Sequence, residues 1–461
     1  MRSFISIPLL AGLAASSTIP ASPVDARDAA AAPSFAPIKS QEDLSKALND
    51  LYTDAQYLGL GAVAGAALLN AIVPLASPNS TAELAEDFKK ITAANPKDIF
   101  EYGAQIILNG FSGQDFLTIF NAYVATQTTS TSAAQPAPST PKPTPATPPT
   151  TSPSPTSAKQ STSPPDFTYG RIPPVIFLPG TAALAGQNFG PNYGKLLKRD
   201  NIADPVYLNL PGQNLADIQG AAEYTAYAIN YISAISNNVN VSTISWSAGS
   251  LDSQWAFKYW PSTRSRVSDA IRLSADLHGT VFARLLCPGF TTPGCTPAIA
   301  QQEYDSKFIN VLRANGGDSA YVPTTSIYSI FDEIVQPQSD PIASAASLDA
   351  RGVGVTNVEL QSVCTALLPG GLPINDHEGV IINALGYELA KDALTHAGPG
   401  QLSRVDTNMA CERFAADGLS LADIFATYAL IPIAALNILA FQPKADGEPP
   451  IKAYAANGQA P

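Results

Sequence analysis

The chain has 461 residues, more than one average domain holds, and 45% of them are hydrophobic against 14% charged, so a large core can be buried and wholesale disorder is excluded. The formal charge is −12 and no block of Lys or Arg occurs, which removes nucleic-acid binding as a primary role. Four cysteines are too few for a cysteine-rich mini-scaffold, but an even number suits two bridges.

Met1-Arg2-Ser3, an apolar run over 4–15 and small residues over 16–22 read as a secretory signal peptide, residues 1–22. The run is too short to anchor in a bilayer. Export licenses disulfides and glycans. Asn79-Ser80-Thr81 and Asn240-Val241-Ser242 are glycosylation sequons; the first is preferred, because the second abuts a buried strand.

Residues 34–125 predict a small all-α domain. Ser40…Asp43, Ser80…Glu83 and Ser112…Asp115 have the spacing of helix-capping pairs, and Asn95-Pro96 reads as an N-cap followed by proline at the first helical position. Leu44, Leu48 and Leu51, then Phe116, Ile119, Phe120 and Tyr123, recur at helical intervals. Residues 58–76 carry no charge and place Gly61 and Gly65 at GxxxG spacing, but Asn70 and Pro74 interrupt them. A buried core helix is preferred there to a membrane span. Residues 126–165 turn abruptly to Ser, Thr and Pro, a disordered, O-glycosylated linker with almost nothing to bury.

From 166 to 461 short apolar runs (175–178, 206–210, 239–244, 271–273, 325–330) alternate with helical stretches such as 221–235 and 251–260. That alternation predicts an α/β domain, a mostly parallel sheet with helices on both faces and its site at the carboxyl ends of the strands. Residues 419–439 are apolar enough to be core, a membrane-touching flap or a substrate wall.

Ser245-Trp246-Ser247-Ala248-Gly249, between a strand and a helix, has the layout of a nucleophile elbow with Ser245 in the place of the usual first glycine. A serine hydroxyl needs a base, and the chain has three histidines. His278 falls on the wrong side of any later acid, and His396 lies at a helix exit, where an imidazole commonly caps carbonyls. His377, in a polar turn, is therefore the favoured base. Asp332 follows a late strand and is the first candidate for the acid, with Glu333 next and Asp376 below both. An oxyanion needs two fixed donors. The amide after the nucleophile, on Ala248, is one, and Thr181 in Leu178-Pro179-Gly180-Thr181 supplies the other.

These motifs, with Asp332-Glu333-Ile334-Val335-Gln336-Pro337-Gln338 and Asp376-His377, resemble in order and interval those of fungal lipases of the Candida antarctica lipase B type, over about residues 170–415. The resemblance implies an α/β-hydrolase fold, with Ser247 as nucleophile, Asp332 as acid, His377 as base, and Thr181 and Ala248 as oxyanion donors. It also implies Trp246 beneath the alcohol pocket, Asp276 and Gln302 beside the acyl site, and a Cys364–Cys411 bridge that leaves Cys287 and Cys295 to each other. The chain departs from the family at Ala248, where the family has Gln, and in the apolar loop Ala182-Ala183-Leu184-Ala185. The expectation is a secreted, monomeric serine ester hydrolase, a triacylglycerol lipase or broad carboxylesterase. It would need no metal or cofactor, would act on an ester or lipid substrate at a lipid–water interface, and would not insert stably into membranes. The alternatives are a cutinase or polyester hydrolase and an inactive cell-wall glycoprotein that keeps the fold.

Overall fold

The computed structural model describes residues 33–54, 56–57, 60–111, 161–162, 166–287 and 294–460. The signal-peptide reading, the Ser112…Asp115 pair with the helix behind it, and nearly all of the linker lie outside these residues.

A seven-stranded sheet forms the body, in the order β1-β3-β2-β4-β5-β6-β7. Its strands are β1 (Ser161–Thr162), β2 (Pro174–Leu178), β3 (Asp204–Leu208), β4 (Val241–Trp246), β5 (Val267–Leu273), β6 (Thr324–Tyr328) and β7 (Val355–Glu359). Strands β2 to β7 run parallel. Every residue of β2, β3, β4 and β6 is buried, as expected of strands covered on both faces. Two strands were not read in the sequence. Ser161 and Thr162, inside the predicted linker, pair antiparallel with Leu208 and Tyr207, so the linker's last residues close an open sheet edge. Strand β7 is the other edge; three of its five residues, Thr356, Asn357 and Glu359, are polar, and only Val358 is buried.

The amino-terminal helices are α1 (Gln41–Thr53), α2 (Ala62–Ala71), α3 (Thr81–Ala93) and α4 (Ile99–Leu108). Ser40 and Ser80 cap α1 and α3 by accepting the amides of Asp43 and Glu83. Asn95 does not cap α4. It takes a left-handed φ of 48° just beyond α3, and Asp98 accepts the amides of Phe100 and Glu101 instead. A carboxylate with two donors in reach outcompetes the upstream amide side chain.

Four helices of the body matter for the site: α5 (Ile218–Ile235), α6 (Gly249–Tyr259), α7 (Ala384–Thr395) and α8 (Leu421–Tyr428), with α9 (Leu430–Ala440) following directly. Residues 421–440 are long and apolar enough to cross a membrane by length and composition, but most of that span is buried within the protein. The first four helices and α9 share one hydrophobic core, which includes Leu44, Leu68, Phe100, Ile106, Ile431 and Ile438. All ten residues of α4 are buried, and a Cβ on Gly103 would sit 2.8 Å from the Pro432 backbone. Gly65 likewise lies against Leu439 and Phe100. The helical region is thus a cap welded to the body rather than a separate core on a stalk.

Candidate active site

The turn after β4 places Ser247 at a φ of 52°, a conformation that side-chain-bearing residues rarely adopt. The cause is crowding. A Cβ on Gly249 would lie 2.4 Å from the Leu178 carbonyl oxygen, so α6 starts directly against β2. Ser245 replaces the usual glycine without a clash, its hydroxyl 2.9 Å from that of Ser250. The Ser247 amide donates to Leu273 O on β5 at 3.0 Å, fixing the elbow between two strand ends.

His377 comes from a turn 130 positions later. Its Nδ1 lies 2.8 Å from Asp332 Oδ2, and both side chains are buried. The other oxygen, Asp332 Oδ1, accepts the amides of Ile334 and Val335, so the carboxylate is aimed by its own loop. The His377 carbonyl accepts from Trp246 Nε1 at 3.0 Å and from Ser274 Oγ at 3.2 Å, and the two rings pack with centroids 4.8 Å apart. Ser247, Thr181, Trp246 and His377 line a single cavity of about 20 Å3, closed over by Ile99 of α4 and Ile431, Ala434 and Ile438 of α9. Among the described residues the Ser247 hydroxyl makes no hydrogen bond to the imidazole in this closed state, a bond that often tightens only with substrate.

At the expected oxyanion donors, Thr181 Oγ1 donates to Gln302 Oε1 at 3.1 Å, and Gln302 Nε2 donates to Ala298 O. Ala248 is fully buried at the head of α6. Asp276 is buried with neither oxygen hydrogen-bonded, and desolvation pushes it up to about 7 despite the opposing pull of His377. The other two histidines stand apart. The His396 Nδ1 lies 3.0 Å from the Asp392 carbonyl at the end of α7, and burial pushes His278 down to about 4.

Sequence reasoning missed the supports. The Gly180 amide donates to Asn188 Oδ1 at 2.8 Å, while the Pro179 carbonyl accepts from Asn214 Nδ2, which also donates to Asp252 Oδ2. These two asparagines pin both sides of the Pro179-Gly180 turn, and nothing distinguishes them in the sequence from any others. Around His377 a second group gathers. Glu333, Asp376 and Glu378 place carboxylate oxygens within 4.8 Å of one another. Glu333 accepts the His377 backbone amide, and Asp376 accepts the hydroxyls of Tyr102 from α4 and Tyr428 from α8. Burial raises all three above the usual carboxylate range, Glu333 to about 8. Neither Glu333 nor Asp376 therefore faces the imidazole ring; Asp332 does.

Both bridges are formed, Cys287–Cys295 and Cys364–Cys411. The first lies at the rim, where Cys295 exchanges two backbone bonds with Ala445.

The chain is 32% identical over 285 residues to lipase B of Pseudozyma antarctica, a match spanning 61% of this chain and 79% of that one. Its fold matches the crystal structure of Aspergillus fumigatus lipase B with a TM-score of 0.80 at 40% identity, covering 89% of this chain and 99% of that one. No family model matches the chain.

Proposed function

This chain belongs to the lipase B family of α/β-hydrolases, and from that premise we propose that it is a secreted serine ester hydrolase, a triacylglycerol lipase or broad carboxylesterase. His377, oriented by Asp332, takes the proton of Ser247 as the hydroxyl adds to the ester carbonyl. The amides of Thr181 and Ala248 hold the oxyanion. His377 then returns the proton to the leaving alcohol, and water resolves the acyl-enzyme by the same route. Asp276 and Gln302 border the acyl side and Trp246 floors the alcohol side. The observation that carries this reading is the 2.8 Å Asp332–His377 bond opening onto the same cavity as a serine held at positive φ.

The domains follow the sequence boundaries: a signal peptide at 1–22, a helical cap within 34–125, a linker over 126–165 and the catalytic body from 166 to 461. The two bridges and the exposed Asn79 sequon support secretion. The cap closes the mouth, since α4 supplies a wall of the serine cavity. Fluorophosphonate labelling of the full chain tests the scheme. Ser247 is expected to be labelled, and Ser247→Ala to lose turnover of p-nitrophenyl acetate by about 10⁴-fold or more with an unchanged melting curve. Retained turnover in that variant ends the proposal.

A further inference from the structure

The turn that carries Thr181 rests directly on the nucleophile, since a Cβ on Gly180 would lie 3.2 Å from Ser247 Cβ. Among the described residues the Thr181 amide has no acceptor, and Thr181 lines the serine cavity, so that amide is free to serve an oxyanion. Its aim depends on the residues beside it. On one side the Gly180 amide donates to Asn188 Oδ1. On the other, Ala182 stands at a φ of 65°, a left-handed conformation that alanine does not hold by preference. The Ala182 carbonyl accepts from Asn437 Nδ2 at 2.8 Å. Asn437 is the one polar side chain in the eleven residues of α9. Asparagine is a poor helix former, because its amide competes with the backbone, so its place between Leu436 and Ile438 calls for a reason. Ile431, Ala434 and Ile438 of the same helix line the serine cavity. The other side chains that hold the loop's backbone, Gln187, Asn188, Asn209 and Asn214, all lie in the body between β2 and α5. The Ala182 carbonyl is held from α9.

We propose that Asn437 is a positioning residue for the oxyanion pocket: its amide holds Ala182 in the left-handed turn, and that turn points the Thr181 amide at an ester carbonyl bound at Ser247. The proposal rests on the ester-hydrolase reading and deepens it, because the pocket is then complete only while the last turn of α9 is seated on the body. Without the Asn437 amide the Ala182 carbonyl loses its partner, and nothing opposes relaxation of the alanine towards negative φ. Thr181 turns with it. Ser247 and His377 keep their places, since the Ser247 amide is bonded to Leu273 O and the imidazole to Asp332. The loss therefore falls on the transition state, where the oxyanion carries charge, and spares the neutral ester of the ground state.

Two variants of the full chain test this, with p-nitrophenyl acetate as substrate and phenylboronic acid as a tetrahedral mimic that adds to Ser247. Asn437→Leu removes the donor and suits an apolar helix. It is expected to lower kcat/KM about tenfold, through kcat with KM little changed, and to weaken boronate inhibition by a similar factor. Asn437→Asp keeps the shape but turns an ionised carboxylate on the Ala182 carbonyl. Its activity relative to the unmodified chain at the same pH is expected to be lowest near about pH 8 and to recover as pH falls towards about 5, because a protonated carboxyl donates where the amide did. The proposal is overturned if Asn437→Leu keeps kcat/KM and boronate affinity within about twofold, whatever its melting curve, or if its loss lies in KM alone. An Asn437→Asp ratio that does not change with pH overturns it as well. Fluorophosphonate labelling of Ser247 in the unmodified chain separates this from failure of the parent reading: absence of both labelling and turnover withdraws both.

Discussion

The cap and the sheet bury apolar residues by opposite means, and the difference explains how each relates to the site. Strands β2, β3, β4 and β6 are buried along their whole length and bond to neighbouring strands of the sheet, β6 to β5 and β7. Of the four, β3 alone bonds outside the body, to the two linker residues of β1. In the cap, α1 turns a stripe of Leu44, Leu48 and Leu51 inward, whereas α4 has no solvent face at all. A helix buried on every side must be enclosed, and its enclosure includes α9, the helix that also walls the serine cavity. The sheet fixes Ser247 at a strand end; the α4–α9 seam covers the cavity onto which it opens.

The sharpest break of that contrast lies on the sheet side. Gly249→Ala places a methyl group 2.4 Å from the Leu178 carbonyl, so β2 and α6 must separate. A shift of that size at the elbow is expected to lower kcat for p-nitrophenyl acetate by about a hundredfold or more, with little change in circular dichroism. On the cap side Gly103→Leu meets the Pro432 backbone, which cannot rotate away. It is expected to cost about 1–3 kcal/mol in urea unfolding. Gly220 in α5 is the control, because a Cβ there meets nothing within 4 Å. Gly220→Ala is expected to add about 0.5–1 kcal/mol, since only the helix propensity of glycine is at stake.

The acid cluster under the seam gives a pH test. Burial first, and then Asp332, push Glu333 up from 4.5 to about 8. Between those values the native state holds a proton that the unfolded chain has released, so stability falls as pH rises through that window and the slope vanishes outside it. Glu333→Gln keeps an acceptor for the His377 amide and removes the titration. The variant is expected to gain on the unmodified chain as pH rises from 5 to 8, read from urea midpoints. Parallel midpoints would mean that Glu333 is not held neutral.

How much of this was legible in sequence follows from how local each determinant is. Ser247 announces itself through its neighbours, because a small-residue turn between strand and helix is a local pattern. The geometry joins Asp332 to His377, which the sequence nominated because three histidines leave few bases to choose from. The Cys364–Cys411 pairing came from the resemblance, with the other two cysteines left over. Asn188 and Asn214 act on the backbone of the Pro179-Gly180 turn, 8 and 35 positions away, and neither distance is a spacing that marks an asparagine in sequence. The periodicity of Leu44, Leu48 and Leu51 and the uncharged run over 58–76 pointed to burial but not against what. Asn95 misled because two polar side chains competed to cap one helix, and only the fold decides which has amides in reach.

A last test isolates the bond that crosses from cap to histidine turn. Tyr102 Oη donates to Asp376 Oδ2 at 2.9 Å, and Asp376 Oδ1 accepts from the Gly379 amide and from Tyr428. Tyr102→Phe removes a donor but leaves the ring in the core, and the carboxyl keeps two partners on its other oxygen. The loss is expected to be about 1 kcal/mol, the net worth of one buried hydrogen bond, measured by urea unfolding. Tyr428→Phe alone is expected to cost a similar amount, because its hydroxyl also serves the Ile374 carbonyl at 2.6 Å. The two changes share Asp376, so together they should exceed the sum of the singles, leaving that buried carboxyl with a single backbone donor. Strict additivity in the double variant would show that the two tyrosines are not coupled through Asp376, and a Tyr102→Phe loss near zero would show that α4 meets the histidine turn by packing alone.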